Sequence, residues 1–231
     1  MFFELVRSSG DIQSLAVTAA AIITAFVVGI GFHEFSHVLV AYLLGDTTGR
    51  DLGRLTLNPI KHLDPFGSMM LLLVGFGWGK PAPVNPYRLK TGPTTGWSIV
   101  AIAGPLSNFL MAAVLASFLR FDPFRSALIA RGGVLTGWNF FLANVMVYTI
   151  YINVLLGVFN LLPIPPLDGY RVALRILPHE IAASYQRVEQ YGPFILMALF
   201  AIPFFTGSRI NPISDVIGPV RETVTRYLLG G

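Results

Sequence analysis

The 231-residue chain is too apolar for an ordinary water-soluble domain, because hydrophobic residues make up 54% of it and charged residues only 12%. Soluble domains carry about a quarter charged residues. The absence of cysteine excludes disulfides and thiolate-bound metal, so any metal would have to bind imidazole and carboxylate groups. The net charge of +4 comes from basic residues spread through loops, which favours membrane lipids over nucleic acid as partners.

The first apolar run, residues 12–44, is longer than one membrane crossing needs. A helix rises about 1.5 Å per residue, so this run would extend about 50 Å against a hydrocarbon core of about 30 Å. Residues 15–32 therefore suffice to span. The polar motif HEFSH, residues 33–37, is expected towards one leaflet.

The next apolar run, residues 66–78, is too short to cross a bilayer as a helix. It is rich in glycine, and both of its flanks are basic. By the positive-inside rule, both flanks belong in the cytosol. We therefore predict a re-entrant β-hairpin over residues 66–90, which enters the membrane and returns to the same face.

The remaining apolar runs complete a helical bundle. Residues 97–119 and 134–162 are long enough to span as helices, and residues 191–206 form a shorter candidate. Residues 211–229 mix charged and apolar side chains, which predicts an interfacial amphipathic helix. The sequence thus predicts one membrane-embedded domain over residues 1–231, an all-α polytopic bundle of about four to six transmembrane helices with the small re-entrant β-hairpin.

The HEFSH motif has the spacing of a zinc site. His33 and His37 stand at positions i and i+4, so both imidazoles project from one helix face. Glu34 between them can act as general base towards a water at the metal. A chance match is the alternative. Each ionisable group inside a bilayer costs roughly 2.5 to 3.5 kcal/mol, however, and a shared cation would offset that cost for three groups together.

Two histidines leave a third protein ligand to be found. The candidates are His62, His179 and an acidic residue, of which Asp168 is preferred because the proline-rich segment PIPPLDG would hold its short side chain in place. The alternative is that Asp168 caps a helix beginning at Tyr170. If residues 66–78 do not span, three helical spans bring Asp168 to the same membrane face as the histidines.

Two asparagines in the apolar runs are further candidates. The side-chain amides of Asn108 and Asn160 could donate to a developing oxyanion or hold an unwound substrate. The alternative is hydrogen bonding between helices, and that interpretation is preferred for the other asparagines of residues 134–162.

At this point the chain resembles the site-2 protease family of intramembrane zinc metalloproteases, in its compact form without a PDZ insertion. The similarity covers residues 25–175 and includes HEFSH, LGRLTLNPIKHLDPFG, GWGKPAPVNP, AGPLSN and NLLPIPPLDG in that order. It implies zinc bound by His33, His37 and Asp168, Glu34 as catalytic base, and roles for Asn108 and Asn160 in substrate binding or oxyanion stabilisation.

The resemblance implies hydrolysis of peptide bonds in or near the transmembrane segments of membrane-protein substrates. We expect a multi-pass protein of a prokaryotic cell membrane with its active site towards the cytosol, in contact with lipids and not with nucleic acid. The oligomeric state is left open. The alternatives are a transporter or channel, in which buried ionisable groups relay ions, and a catalytically silent membrane scaffold.

Overall fold

The computed structural model describes residues 12–74, 77–121, 137–207 and 209–229, with the backbone alone for 12–14, 71–74, 137–140 and 204. In chain order its helices are α1 (Ile12–Leu43), α2 (Thr48–Asp51), α3 (Pro65–Val74), α4 (Pro93–Arg120), α5 (Gly137–Asn160), α6 (Asp168–Ile176), α7 (His179–Gln186), α8 (Gly192–Phe205) and α9 (Pro212–Leu229). Short 3-10 turns lie at Pro59–Lys61, Pro86–Arg88 and Glu189–Tyr191.

The long helices α1, α4 and α5 form a three-helix core in which each packs against the other two. Small residues allow close approach, since a Cβ placed on Gly157 of α5 would lie 2.8 Å from the Phe109 ring of α4. Between α4 and α5 lies a cluster of fully buried apolar side chains: Ala112, Ala116, Ile150 and Val154. Helix α9 covers this cluster with Val224 and Leu228. The structure shows that α9 is a helix, and its interfacial position stays a prediction.

Three helical segments in the described part of the chain are long and apolar enough to cross a membrane. They are Leu15–Leu43, Pro93–Arg120 and Phe141–Asn160. The expected all-helical architecture is confirmed for this part of the protein, and the expected count of four to six transmembrane helices stays a prediction. Helix α8, at 14 residues, is shorter than a transmembrane helix requires. Residues 134–136 of the predicted span at 134–162 lie outside the described residues.

The predicted β-hairpin over residues 66–90 is wrong for the residues that the structure describes. Residues 65–74 form helix α3, and residues 77–85 follow without a helix or strand of their own. The helix begins because Pro65 fits a first turn and the Asp64 carboxylate accepts from the Gly67 N–H at 2.7 Å. Leucine and methionine then favour a helix over a strand. Gly75 and Phe76 lie outside the described residues.

The chain nevertheless doubles back on itself after α3. A single antiparallel bridge joins Leu63 to Gly79, so the residues before and after α3 lie side by side. A 10-residue helix extends only about 15 Å, half of a hydrocarbon core. Re-entry of this segment into a membrane stays a prediction.

Loops at the carboxyl end of α1 tie residues 77–90 to the bundle. The Lys90 N–H donates to the Leu44 carbonyl at 2.8 Å. The buried Asp46 carboxylate accepts from the Asn85 N–H at 2.7 Å and from the Thr48 hydroxyl at 2.6 Å. These bonds hold the segment after α3 against the end of α1 that contains HEFSH.

The turn after α5 directs α6 back onto α4. Helix α5 ends at Asn160, and the segment to Leu167 includes a cis peptide bond between Pro165 and Pro166. Arg171 of α6 lies over the Trp97 ring of α4, 3.9 Å from its centroid, and Arg175 Nε donates to the Thr95 hydroxyl at 3.0 Å. Helix α6 is thereby held against α4.

Candidate metal centre

The two histidines of HEFSH meet inside the bundle. His33 and His37 lie one turn apart on α1, each about 6% exposed, and their Nε2 atoms are 3.0 Å apart. The rings are nearly perpendicular, at 87°. Both Nε2 atoms therefore point at the same spot.

Asp168 supplies a third atom at that spot. Its Oδ2 lies 3.1 Å from His33 Nε2 and 3.3 Å from His37 Nε2. In the described part of the chain, these three residues form a cluster that could hold a metal ion. Helix α6 begins at Asp168 itself, and Leu167 occupies the cap position without a side-chain bond. The carboxylate is thus turned towards the histidines and does not cap the helix.

The other candidate histidines lie elsewhere. His62 is fully buried, but its Nε2 lies 2.7 Å from the Thr56 carbonyl, for which it is a donor. His179 begins α7 and is exposed. Neither belongs to the cluster of His33, His37 and Asp168.

The outer ring nitrogens of the two histidines have hydrogen-bond acceptors. His33 Nδ1 lies 2.6 Å from the Asn108 side-chain oxygen, and His37 Nδ1 lies 2.7 Å from the Val100 carbonyl. Both Nδ1 atoms must therefore carry the proton, which leaves the Nε2 lone pairs free. Metal-binding histidines are oriented in this way by an acceptor on the far ring nitrogen.

The inner atoms fit a zinc ion. Two Nε2 lone pairs and a carboxylate oxygen lie within 3.0 to 3.3 Å of one another, an arrangement that is repulsive without a cation between them. Tetrahedral zinc with bonds of about 2.0 Å separates its ligand atoms by about 3.3 Å. Two imidazoles and one carboxylate also leave a fourth position open, as catalytic zinc sites do.

Gly104 of α4 packs directly on this centre. A Cβ at this position would lie 2.4 Å from His37 Nε2 and 2.6 Å from His33 Cε1. Only a residue without a side chain leaves space for both imidazoles.

Glu34 lies beside the histidines, under the segment that follows α3. A Cβ placed on Gly79 would lie 3.5 Å from Glu34 Oε1 and 2.6 Å from the Ile30 side chain, so the Gly79 backbone rests on α1. The other carboxylate oxygen, Oε2, is buried and has no hydrogen-bond partner among the described residues. The carboxylate is thus free to accept a proton or a hydrogen bond from a bound molecule.

Arg54 holds the segment over Glu34 in position. It is 6% exposed, and its guanidinium donates to the Lys80 carbonyl at 2.6 Å, while the Lys80 N–H donates to the His62 carbonyl at 2.7 Å. Burial lowers the pKa of Arg54, and the negative charge of Glu34 acts in the opposite direction. Both backbone polar groups of Lys80 are therefore fixed next to the proposed base.

The two asparagines named from the sequence have different surroundings. Asn108 is fully buried, with its oxygen facing His33 and its amide nitrogen donating to the Gly29 carbonyl at 3.2 Å and to the Asn153 oxygen at 2.7 Å. Asn160 is half-buried at the end of α5, and its amide nitrogen donates to the Leu156 carbonyl at 2.9 Å.

Three residues near the centre escaped the sequence analysis: Arg54, Gly104 and Asn153. Arg54 and Gly104 lie within LGRLTLNP and AGPLSN, so the motifs themselves were a signal. Asn153 was interpreted as one of several helix-linking asparagines, and no local pattern distinguishes it.

The chain is similar to proteins named as zinc metalloproteases. The family model described as peptidase family M50 matches residues 127–202, a range that includes Asp168. The chain is 40% identical over 182 residues to the Bacillus subtilis protein named "Putative zinc metalloprotease YwhC", covering 79% of this chain and 80% of that protein. It is 31% identical over 188 residues to "Putative zinc metalloprotease Rip2" of Mycolicibacterium smegmatis, covering 79% of this chain and 67% of that protein. No solved structure matches the chain.

These findings define a membrane-embedded zinc metallopeptidase. The chain belongs to peptidase family M50, which confirms the resemblance to the site-2 proteases.

Proposed function

We propose that this protein hydrolyses peptide bonds in or near the transmembrane segments of membrane-protein substrates. The observation that carries the proposal is the position of the cluster. His33 and His37 lie within α1, a helix of membrane-spanning length. Asp168, at the start of α6, reaches them from the segment that follows α5. A peptidase site on such a helix meets its substrates inside or at the edge of the bilayer.

In this proposal His33, His37 and Asp168 hold the zinc ion, and Glu34 is the catalytic base. Bound zinc supplies Lewis acidity that polarises the substrate carbonyl and makes water more acidic. Glu34 takes the proton of the attacking water and then delivers it to the leaving amine. The free Oε2 of Glu34 supports this role, because no hydrogen bond within the described residues has to be broken first.

The substrate is expected to enter in an unwound form. A helical peptide bond is shielded by its own backbone hydrogen bonds, so a transmembrane helix has to open locally before its carbonyl can be attacked. Residues 77–85 have little backbone pairing of their own and could align an extended substrate next to Glu34. The amides of Asn108 and Asn160 are both proposed for substrate or oxyanion contact. Asn160 is the half-buried one, at the end of α5, whereas the Asn108 amide already donates to Gly29 and Asn153.

The site is proposed to face the cytosol of a prokaryotic cell in a multi-pass protein. Exposed basic residues cluster in the loops at the metal end of the bundle: Lys61, Lys80, Arg88 and Lys90. Lysine and arginine accumulate on the cytosolic side of membrane proteins and attract anionic lipids. Water can reach a site near this surface. We propose membrane lipids and transmembrane substrates as partners, and no nucleic acid.

A Glu34→Gln variant tests the proposal. Amide replacement keeps the shape but removes the base, so we expect bound zinc to be unchanged and cleavage to fall by roughly 10²- to 10⁴-fold. Purified wild type and variant are reconstituted with a set of single-span substrates, with casein as a soluble comparison. Zinc is measured by elemental analysis.

Undiminished cleavage by Glu34→Gln would refute the catalytic assignment. Cleavage of casein alone would refute the intramembrane substrate class while leaving the peptidase activity intact.

A further inference from the structure

Asn153 on α5 is connected to the metal centre through two hydrogen bonds. It is fully buried, and its side-chain oxygen accepts from the Asn108 amide nitrogen at 2.7 Å. The Asn108 oxygen in turn faces His33 Nδ1 at 2.6 Å. Asn153 is thus linked to the His33 ring through Asn108. Helix α5 itself contributes no side chain to the cluster of His33, His37 and Asp168.

The orientation of each amide in this chain is determined by its neighbours. Asn153 donates from its nitrogen to the Thr149 carbonyl at 2.8 Å, so its oxygen has to face Asn108. Asn108 meets two acceptors on that side, Asn153 and the Gly29 carbonyl, so its nitrogen has to face them. Its oxygen is then left towards His33. Reversing either amide would place oxygen against oxygen in a buried site, which is costly.

The packing of α5 against α1 also brings the Asn153 side chain close to the α1 backbone. A Cβ placed on Gly29 of α1 would lie 3.3 Å from both the nitrogen and the oxygen of the Asn153 side chain. The missing side chain at Gly29 therefore lets the Asn153 amide rest directly on the α1 backbone, one turn before His33.

We infer that Asn153 is a positioning residue of the metal centre. By fixing the Asn108 amide, it keeps the proton of His33 on Nδ1 and the Nε2 lone pair available to a metal ion. The inference rests on the proposed function only in that His33 is taken as a ligand. Outer partners of metal-binding histidines typically contribute 10- to 100-fold to metal affinity.

The competing explanation is that Asn153 only links helices, as buried amides in membrane proteins do. The two explanations differ in which nitrogen of the His33 ring carries the proton after Asn153 is replaced, and the nitrogen chemical shifts of the ring report this. A purely linking role would leave that proton on Nδ1, because the lost bond to Asn108 would then only loosen the helix packing. In an Asn108→Asp background a carboxylate presents an oxygen to His33 in either orientation and its second oxygen faces the Asn153 oxygen, so Asn153→Leu no longer removes an orienting contact.

The experiment is a double-mutant cycle on zinc affinity, measured in detergent by competition with a chelator. We expect Asn153→Leu to weaken zinc binding by about 10- to 100-fold in the wild-type background, and to leave it within about twofold or to strengthen it in the Asn108→Asp background. In the zinc-free single variant we expect part of the His33 proton to move to Nε2. Asn153→Ser, whose hydroxyl is too short to reach Asn108, serves as a second variant if the leucine variant fails to fold. Thr24→Val removes an exposed hydroxyl bond within α1 and should leave zinc affinity unchanged.

Unchanged zinc affinity in folded Asn153→Leu or Asn153→Ser would overturn the inference, and so would an equal loss in both backgrounds or a His33 proton that stays entirely on Nδ1. Failure of the proposed site has a different signature, because zinc would then remain bound to a His33→Ala variant.

Discussion

Gly104 lies so close to His37 that a Cβ on the glycine would be 2.4 Å from His37 Nε2, the proposed zinc-binding atom. Carbon atoms do not approach a ring nitrogen to that distance without a shift of one of them. Helix α4 thereby limits where the two imidazoles of α1 can be, although it contributes no atom to the proposed coordination.

Gly104→Ala should therefore disable the metal centre. The added methyl group overlaps both His37 and His33, which have to rotate away from their hydrogen-bond acceptors or separate α1 from α4. We expect zinc content in the purified protein to fall at least 10-fold, together with peptidase activity.

The matched control is Gly218→Ala in α9. The nearest atom to its added methyl group would be the Ser214 hydroxyl at 4.0 Å, so this helical glycine has space for a side chain. Zinc content and activity should be unchanged there, since alanine favours a helix. Full zinc occupancy in Gly104→Ala would show that the imidazoles are not held as described.

Asp168→Ala tests the third ligand. Removing the carboxylate leaves two imidazoles, and we expect zinc affinity to fall by more than the 10- to 100-fold typical of losing an outer partner. Chelator competition measures the change. Asp215→Ala removes an exposed carboxylate from the first turn of α9 and should have no effect on zinc. Retention of wild-type affinity by Asp168→Ala would require a different third ligand.

Arg54→Met tests the contact that holds residues 78–80 over Glu34. Loss of the guanidinium leaves the Lys80 carbonyl without this donor, at a cost of about 1 to 3 kcal/mol. We expect zinc content to be unchanged and cleavage of transmembrane substrates to fall by roughly 10-fold, with faster hydrogen exchange of the Lys80 N–H that donates to the His62 carbonyl.

Arg50→Met is the matched control for Arg54→Met. Arg50 lies in α2, four residues before Arg54, but it is exposed and pairs with Asp51 at 2.9 Å. Its loss should alter neither substrate cleavage nor hydrogen exchange of the Lys80 N–H, because exposed ion pairs contribute little. Equal behaviour of the two variants would mean that the Arg54 contact is not required.

Much of the helical architecture could be predicted from hydropathy. The run at 97–119 became the helix Pro93–Arg120, and the run at 12–44 became Ile12–Leu43. Residues 66–90 were predicted as a β-hairpin on the strength of glycine content and length. That prediction overlooked the local helix signals. Pro65 and the Asp64 side chain begin a helix, and the following leucines continue it.

The metal centre was only partly visible in the sequence. The i, i+4 spacing places His33 and His37 together because helix geometry is local. The choice among His62, His179 and Asp168 as their neighbour was not local, because it depends on where α6 packs. Asn108 was a candidate for substrate or oxyanion contact or for helix linking, and that role stays a prediction; its contacts with His33, Gly29 and Asn153 come from the packing of α1, α4 and α5.

The sequence by itself determined an apolar, helical membrane protein with a two-histidine zinc motif, because hydrophobicity and helical spacing act over one or two turns. Only the tertiary structure decided that Asp168 meets those histidines and that Gly104 gives them space. It also decided that Asn108 and Asn153 orient one of them. These contacts join residues on different helices, and their distances follow from packing, which no single segment specifies. HEFSH therefore indicates a zinc peptidase, and the packing of α1, α4, α5 and α6 brings the residues of the site together.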